Sequence, residues 1–170
     1  MLNKQPTRKA NRLHDYDYSS NGAYFITICT KDRQAILWDE GYLAQENVGE
    51  AAYSLPQIIL SPTGEMVQKI VLNIPDVYKH VSVDAYVIMP NHIHMIILLQ
   101  KDGTPWAASP TISISKIINS FKTITSKQYG RPLWQRSFHD HIIRGQKDYD
   151  KIKEYIHSNP LQWQNDYYHE

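Results

Sequence analysis

The chain has 170 residues, 42% of them apolar and 21% charged, with a formal net charge of +1. That size supports one domain around a real core, and the charge balance sets up no global field for nucleic acid. No apolar run approaches the ~18 residues of a membrane span, and the amino-terminal stretch lacks the apolar segment of a secretory signal, so a cytoplasmic location is expected. The one cysteine, Cys29, rules out an internal disulfide and a cysteine-caged zinc.

Charge is spread unevenly. Lys4, Arg8, Lys9 and Arg12 all precede the first acidic residue, Asp15. Residues 1–14 therefore form a basic arm on a single domain spanning 1–170. Such an arm suits phosphate tracking, with Arg8, Lys9 and Arg12 as DNA contacts, and equally suits a solvated tail. The run "GAYFITICTK" (22–31) alternates and is rich in β-formers, so it reads as a strand, with Cys29 as a small core residue. "RQAILWDEGYLAQ" reads as a hairpin turning near Asp39–Gly41, and "YSLPQIIL" (53–60) as a short strand that Pro56 pushes to an edge.

Ser61-Pro62 is a helix-start signal, and "TGEMVQKIVLNI" follows at helical period up to Pro75. "VSVDAYVIM" (81–89) is a strand, Pro90-Asn91 a turn, and "HIHMIILL" (92–99) the returning antiparallel strand. After a loop at 101–110, Ile114, Ile117, Ile118, Phe121 and Ile124 mark one face of an amphipathic helix stopped by Gly130 and Pro132. Lys116 and Lys122 on its other face are candidate phosphate contacts or simply solvated. "SFHDHIIR" (137–144) is a short strand, and "KDYDKIKEYIHSN" (147–159) a last helix ended by Pro160. The order predicts an α+β domain, an antiparallel sheet with helices packed on one face.

Two histidines stand inside one of the most apolar runs, "VIMPNHIHMIILL". Burying imidazoles is costly unless they find partners. In a strand, residues two apart share a face, so His92 and His94 point one way with Ile96 and Leu98, while Ile93 and Met95 point the other. Two imidazoles so placed suit one divalent metal, and also suit two hydrogen-bonded structural histidines. In the last helix Tyr155 and Asn159 are one turn apart and project together. Asn159 offers an amide oxygen as a third ligand and Tyr155 a phenol. A tyrosine beside a two-histidine site suggests phosphoryl chemistry, in which the phenol attacks a phosphodiester. Tyr155 also fits an amphipathic core position beside Ile152 and Ile156, and Tyr149, Tyr167 and Tyr168 compete as nucleophiles.

The combination "AYVIMPNHIHMIILL", "PLWQRSFHDHIIR" and "KIKEYIHSNP", with "YDYSSNGAYFITICTKDR" ahead of it, resembles the single-tyrosine HUH transposases and their REP-associated, IS200-like branch. The likeness runs from about Leu13 to Trp163. It implies a ferredoxin-like antiparallel sheet, with His92, His94 and Asn159 as ligands of Mg²⁺ or Mn²⁺. It also implies that Tyr155 forms a 5′-phosphotyrosine link to single-stranded DNA and frees a 3′-OH beside the foot of a DNA hairpin. Asn159 stands where the insertion-sequence branch usually has glutamine. His139 and His141, a second His-x-His, are expected to support the site from behind, to line the DNA groove, or to be structural. The implied partner is hairpin-bearing single-stranded DNA, and a homodimer sharing its tyrosines is compatible with the family. Two rival readings are a hairpin-binding protein without transposition and a small-molecule metallohydrolase using the "FHDH" pair.

Overall fold

The computed structural model describes residues 16–41, 58–100 and 112–165. The basic arm, most of the expected 53–60 strand, the 101–110 loop, and Tyr167 and Tyr168 lie outside the described residues.

Four strands form one antiparallel sheet: β1 (Gly22–Cys29), β2 (Val81–Ile88), β3 (His92–Leu99) and β4 (His139–Ile143), in the spatial order β2-β3-β1-β4. Two longer helices connect them, α1 (Pro62–Leu72) before β2, with the single turn α2 (Ile74–Val77) after it, and α3 (Ile114–Tyr129) before β4. The helix α4 (Gln146–Ser158) follows β4. This is the expected ferredoxin-like arrangement. The hairpin β2–β3 is antiparallel, and long crossovers through α1 and α3 place β1 beside β3 and β4 on the far side of β1.

Local chemistry sets the helix ends. The Ser61 hydroxyl accepts from Gly64 N at 3.1 Å and donates to Ile36 O at 2.6 Å, so one side chain starts α1 and ties it to the preceding loop. Gly64 is required by approach. A Cβ there would lie 2.0 Å from Leu37 O. Gly130 closes α3 in the left-handed conformation, at φ 83.

Alternation sorts the strands onto two faces. Tyr24, Ile26, Ile28, Ile93, Met95 and Ile97 join Val67, Val71, Ile117 and Phe121 in the larger core, under α1 and α3. Ile96, Ala85, Val87 and Ile143 join Ile156 and Trp163 on the other face. The expectation of helices on one face thus holds for α1 and α3, and α4 adds cover to the opposite face. Its apolar stripe of Ile152 and Ile156 finds an unfilled apolar surface there.

Two further departures have local causes. Trp38 pairs with Leu60 in an isolated bridge, and Asp39 N bonds Ile59 O at 2.9 Å, so the strand-like segment after β1 meets residues 59–60, while the returning arm of the expected hairpin lies outside the described residues. Pro160 does end α4, but the chain continues as a 3₁₀ helix over Asn159–Asn165. A proline without an N–H is tolerated at the start of a new, tighter turn.

Candidate active site

The Pro90-Asn91 turn places His92 at the first residue of β3, and Met89 N closes the turn on His92 O at 2.9 Å. His92 and His94 are 0% and 1% exposed, yet each ring is partnered. His92 Nδ1 lies 2.8 Å from Asn91 Oδ1, His94 Nδ1 lies 2.8 Å from Thr27 Oγ1, and the two Nε2 atoms face each other at 3.0 Å. The turn itself is bolted to β1, since Thr30 N and Thr30 Oγ1 both donate to Asn91 O. These bonds offset the cost of burying two imidazoles.

The donor set suits a cation. An amide oxygen only accepts, so Asn91 fixes the proton on His92 Nδ1 and leaves the Nε2 lone pair facing inward. Burial, reinforced by the Arg33 charge, pushes the His92 pKa down to about 3, so the ring is neutral and able to ligate. The Thr27 hydroxyl can donate to or accept from His94 Nδ1. It therefore serves the tautomer that lets His94 bond His92 and also the one that turns both Nε2 lone pairs to an ion. Among the described residues no group of three His, Cys, Asp or Glu side chains converges for a metal. The third donor of the sequence reading is an amide.

Helix α4 lays its chemistry over this pair. Tyr155 Oη lies 3.3 Å from His94 Nε2, in the same chain, with the ring 37% exposed and so open to a substrate. Phe25 stacks on His94 at 5.2 Å and meets Tyr155 edge-on at 6.2 Å, fixing both rings. Beyond Tyr155 at helical spacing come Asn159, 1% exposed, and Trp163, whose ring lies 6.1 Å from that of His92. Asn159 thus stands one turn from a residue on His94 and one turn from a residue on His92. Tyr149, a rival nucleophile by composition, gives its hydroxyl to Asp84 instead.

The remaining candidates divide. His139 and His141 pair in register with Thr27 and Phe25, which puts both on the active-site face. His141 is engaged elsewhere, with Nε2 at 2.9 Å from Asp148 Oδ2 in the first turn of α4. It anchors the helix and does not join the His92–His94 pair. His139 is exposed at the β4 edge. Lys116 is exposed on α3, across the sheet from the histidines. Lys122 donates to Gln135 O and Arg136 O at 2.6 and 2.9 Å, and its half-buried ammonium holds that loop. Arg8, Lys9 and Arg12 lie outside the described residues.

Sequence reasoning missed Thr27, Phe25, Asn91 and Trp163. Asn91 and Trp163 carried a signal, one beside His92 and the other two helical turns beyond Tyr155. Thr27 and Phe25 carried none, because only the β1–β3 register reveals what they oppose.

The profile of the family described as "Transposase IS200 like" matches residues 18–159, a span that takes in every residue of the site but Trp163. The chain belongs to the IS200-like transposase family. Its enzyme class is that of a tyrosine transposase, and a divalent metal is general in this family. A protein of Haemophilus influenzae named "Uncharacterized protein" is 34% identical over 177 residues, 94% of this chain and 91% of that one. A second from that organism, named "Putative REP-associated tyrosine transposase", is 26% identical over 152 residues, 85% of this chain and 73% of that one. Among solved structures, a REP-associated tyrosine transposase bound to a REP hairpin superposes with a TM-score of 0.59 at 20% identity. The match covers 89% of this chain and 73% of that one. At that identity it supports the IS200-like assignment through the fold alone. No helix among the described residues is long and apolar enough to cross a membrane.

Proposed function

We propose that this transposase cuts and rejoins single-stranded DNA beside a hairpin, with Tyr155 as the nucleophile and His92, His94 and Asn159 holding Mg²⁺ or Mn²⁺. The observation that carries the reading is the line of contacts from Tyr155 Oη through His94 Nε2 to His92 Nε2, complete within one chain. When bound, the divalent ion neutralises and orients the scissile phosphate. The phenol oxygen forms a bond to phosphorus and the P–O3′ bond breaks. The 3′ oxygen leaves as a hydroxyl, taking up a proton to match the one the phenol gives up. The 5′-phosphotyrosine keeps the bond energy for rejoining. Phe25 holds the attacking ring, and the partial exposure of Tyr155 leaves its side chain reachable by a strand laid along α4.

Hairpin DNA as partner is supported by the family and by what the superposed transposase binds. Lys116 and the basic arm, Arg8, Lys9 and Arg12, are the cations proposed to track its phosphates. Lys122 contributes indirectly through the loop it holds. The test is a set of labelled oligonucleotides covering the imperfect palindromes found by searching the DNA on either side of the gene, each incubated with Mn²⁺ and run on a denaturing gel. A protein–DNA adduct in wild type that is absent in Tyr155→Phe is expected. An adduct that persists in the variant, or that maps to Tyr149, overturns the assignment.

A further inference from the structure

Strand β2 loses its register at one place. Val83 pairs with Ile97 and Ala85 with Ile96, so Asp84 is an extra residue with no position of its own on β3. That is a β-bulge. Its effect can be read from the cores. Val81 and Val83 face α1 and α3, whereas beyond the bulge Tyr86 and Ile88 take that face and Ala85 and Val87 turn to α4. The alternation flips at Asp84, and Asp84 and Ala85 stand side by side on the active-site face. Ala85 is small enough for a helix to lie close. Asp84 accepts from the Tyr149 hydroxyl and, at 3.0 Å, from Lys153 Nζ, and Lys153 also lies over the Tyr149 ring at 5.6 Å.

Tyr149 and Lys153 are one turn apart on one edge of α4. On the other edge are Asp148 and Tyr155, two turns apart. Asp148 is fastened to β4 by His141 and accepts from Arg144 N at 3.1 Å. Between these edges Ile152 and Ile156 face the sheet. An apolar contact of that kind resists lifting of the helix but tolerates rolling, because dispersion is not directional. These polar attachments on both edges oppose rolling, together with the 3.3 Å contact of Tyr155 Oη on His94 Nε2. The geometry of α4 makes rolling matter. A turn of about 10° moves a side-chain tip at a radius of about 6 Å by about 1 Å, and a misplacement of that size can cost ~10²-fold in rate.

We propose that Asp84, the extra residue of the β2 bulge on the active-site face, is a positioning residue that sets the roll of α4 and so the place of the Tyr155 hydroxyl. The proposal rests on the reading of Tyr155 as nucleophile. It does not ask Asp84 for much stability, since an exposed ion pair contributes little. It asks Asp84 for direction.

The experiment pairs two measurements on the full chain and on Asp84→Ala, Asp84→Asn and Tyr149→Phe. One is amide hydrogen exchange across α4. The other is single-turnover adduct formation at saturating palindrome-bearing oligonucleotide with Mn²⁺, with its Kd measured separately. In Asp84→Ala, α4 amides are expected to exchange about 5–20-fold faster while β1 and β3 hold. Adduct formation slows about 10–100-fold, and Kd stays within about 2-fold. Asp84→Asn keeps an acceptor for Tyr149 and falls between. If Asp84→Ala does not fold, Tyr149→Phe, which removes one hydroxyl, carries the same two readouts. Unchanged exchange, or looser α4 with an unchanged adduct rate, overturns the proposal. No adduct in wild type sinks the nucleophile reading instead, and the exchange data then decide by themselves whether Asp84 holds α4.

Discussion

Beneath α1 and α3, strands β1 and β3 present Tyr24, Ile26, Ile28, Met95 and Ile97, packed on Val67, Ile117 and Phe121. Beneath α4 the same strands present Thr27, His92 and His94, joined to one another and to Asn91 by directed bonds of 2.8–3.0 Å, with Phe25 stacked on His94. The first face is held by volume; the second adds directed bonds around its histidines to the apolar packing of Ile96, Ile152 and Ile156. A volume contact tolerates exchange among apolar side chains of similar size. A directed bond fails when one atom is removed. The first face should therefore govern whether the chain folds, and the second whether the folded chain reacts.

The largest expected effect breaks the second face alone. Tyr155→Phe deletes the hydroxyl above His94 and leaves the ring against Phe25. Adduct formation should fall by at least ~10³-fold, with Tm and hairpin affinity retained. Ile117→Ala is the mirror test on the first face. It empties a fully buried site and should cost about 2–5 kcal/mol, read by denaturant unfolding. The cleavage rate per folded molecule should stay unchanged. A loss of specific rate in Ile117→Ala as large as the loss of stability would erase the distinction between the faces.

Thr27→Val sharpens the contrast, because it sits on the directed face and keeps volume. It removes the hydroxyl partner of His94 Nδ1 in a buried setting. We expect Mn²⁺ affinity, followed by titration of cleavage against metal, to drop about 10–100-fold, with a stability loss of about 1–3 kcal/mol from the orphaned imidazole. Wild-type behaviour of Thr27→Val in both measurements would show that His94 is held by Phe25 stacking instead.

The same contrast explains what the sequence disclosed. Volume contacts leave periodic traces. Ile114, Ile117, Ile118 and Phe121 announced α3, and alternation announced β1 and β3. The site was legible where spacing along one element suffices, as for His92 with His94 and Tyr155 with Asn159. It was not legible where two elements must be brought into register. Thr27 matters because it faces His94 across a strand pair 67 residues apart. Asp84 reads as an ordinary strand residue until the bulge leaves it without a partner position on β3 and sets Ala85 beside it. Lys122 reads as a solvated lysine until the 133–136 loop folds onto it. Each of these is a decision of tertiary structure that local pattern does not encode.

The smallest expected effect concerns the attachment of α4 and its dependence on pH. The Tyr149 hydroxyl, working against the opposing effect of burial and helped by Lys153, holds the Asp84 carboxyl below its ordinary range; His157 adds a weaker pull the same way. A carboxyl depressed in the folded state stabilises fully above its unfolded pKa of about 3.9. That contribution is lost as pH falls through the lower folded value. Asp84→Asn mimics the protonated form at every pH. Its Tm should therefore trail wild type between pH 5 and 8, by about 1–2 °C for an exposed pair in a chain of this size. The gap should close below about pH 4 as the wild-type carboxyl takes up its proton. Lys153 and Tyr149 do not blur this window, because the Asp84 charge pushes both of their pKa values upward, away from it. A gap that widens as pH falls would mean that Asp84 is raised rather than depressed, and that the directed attachment of α4 is carried by Asp148 with His141 and by Tyr155 with His94.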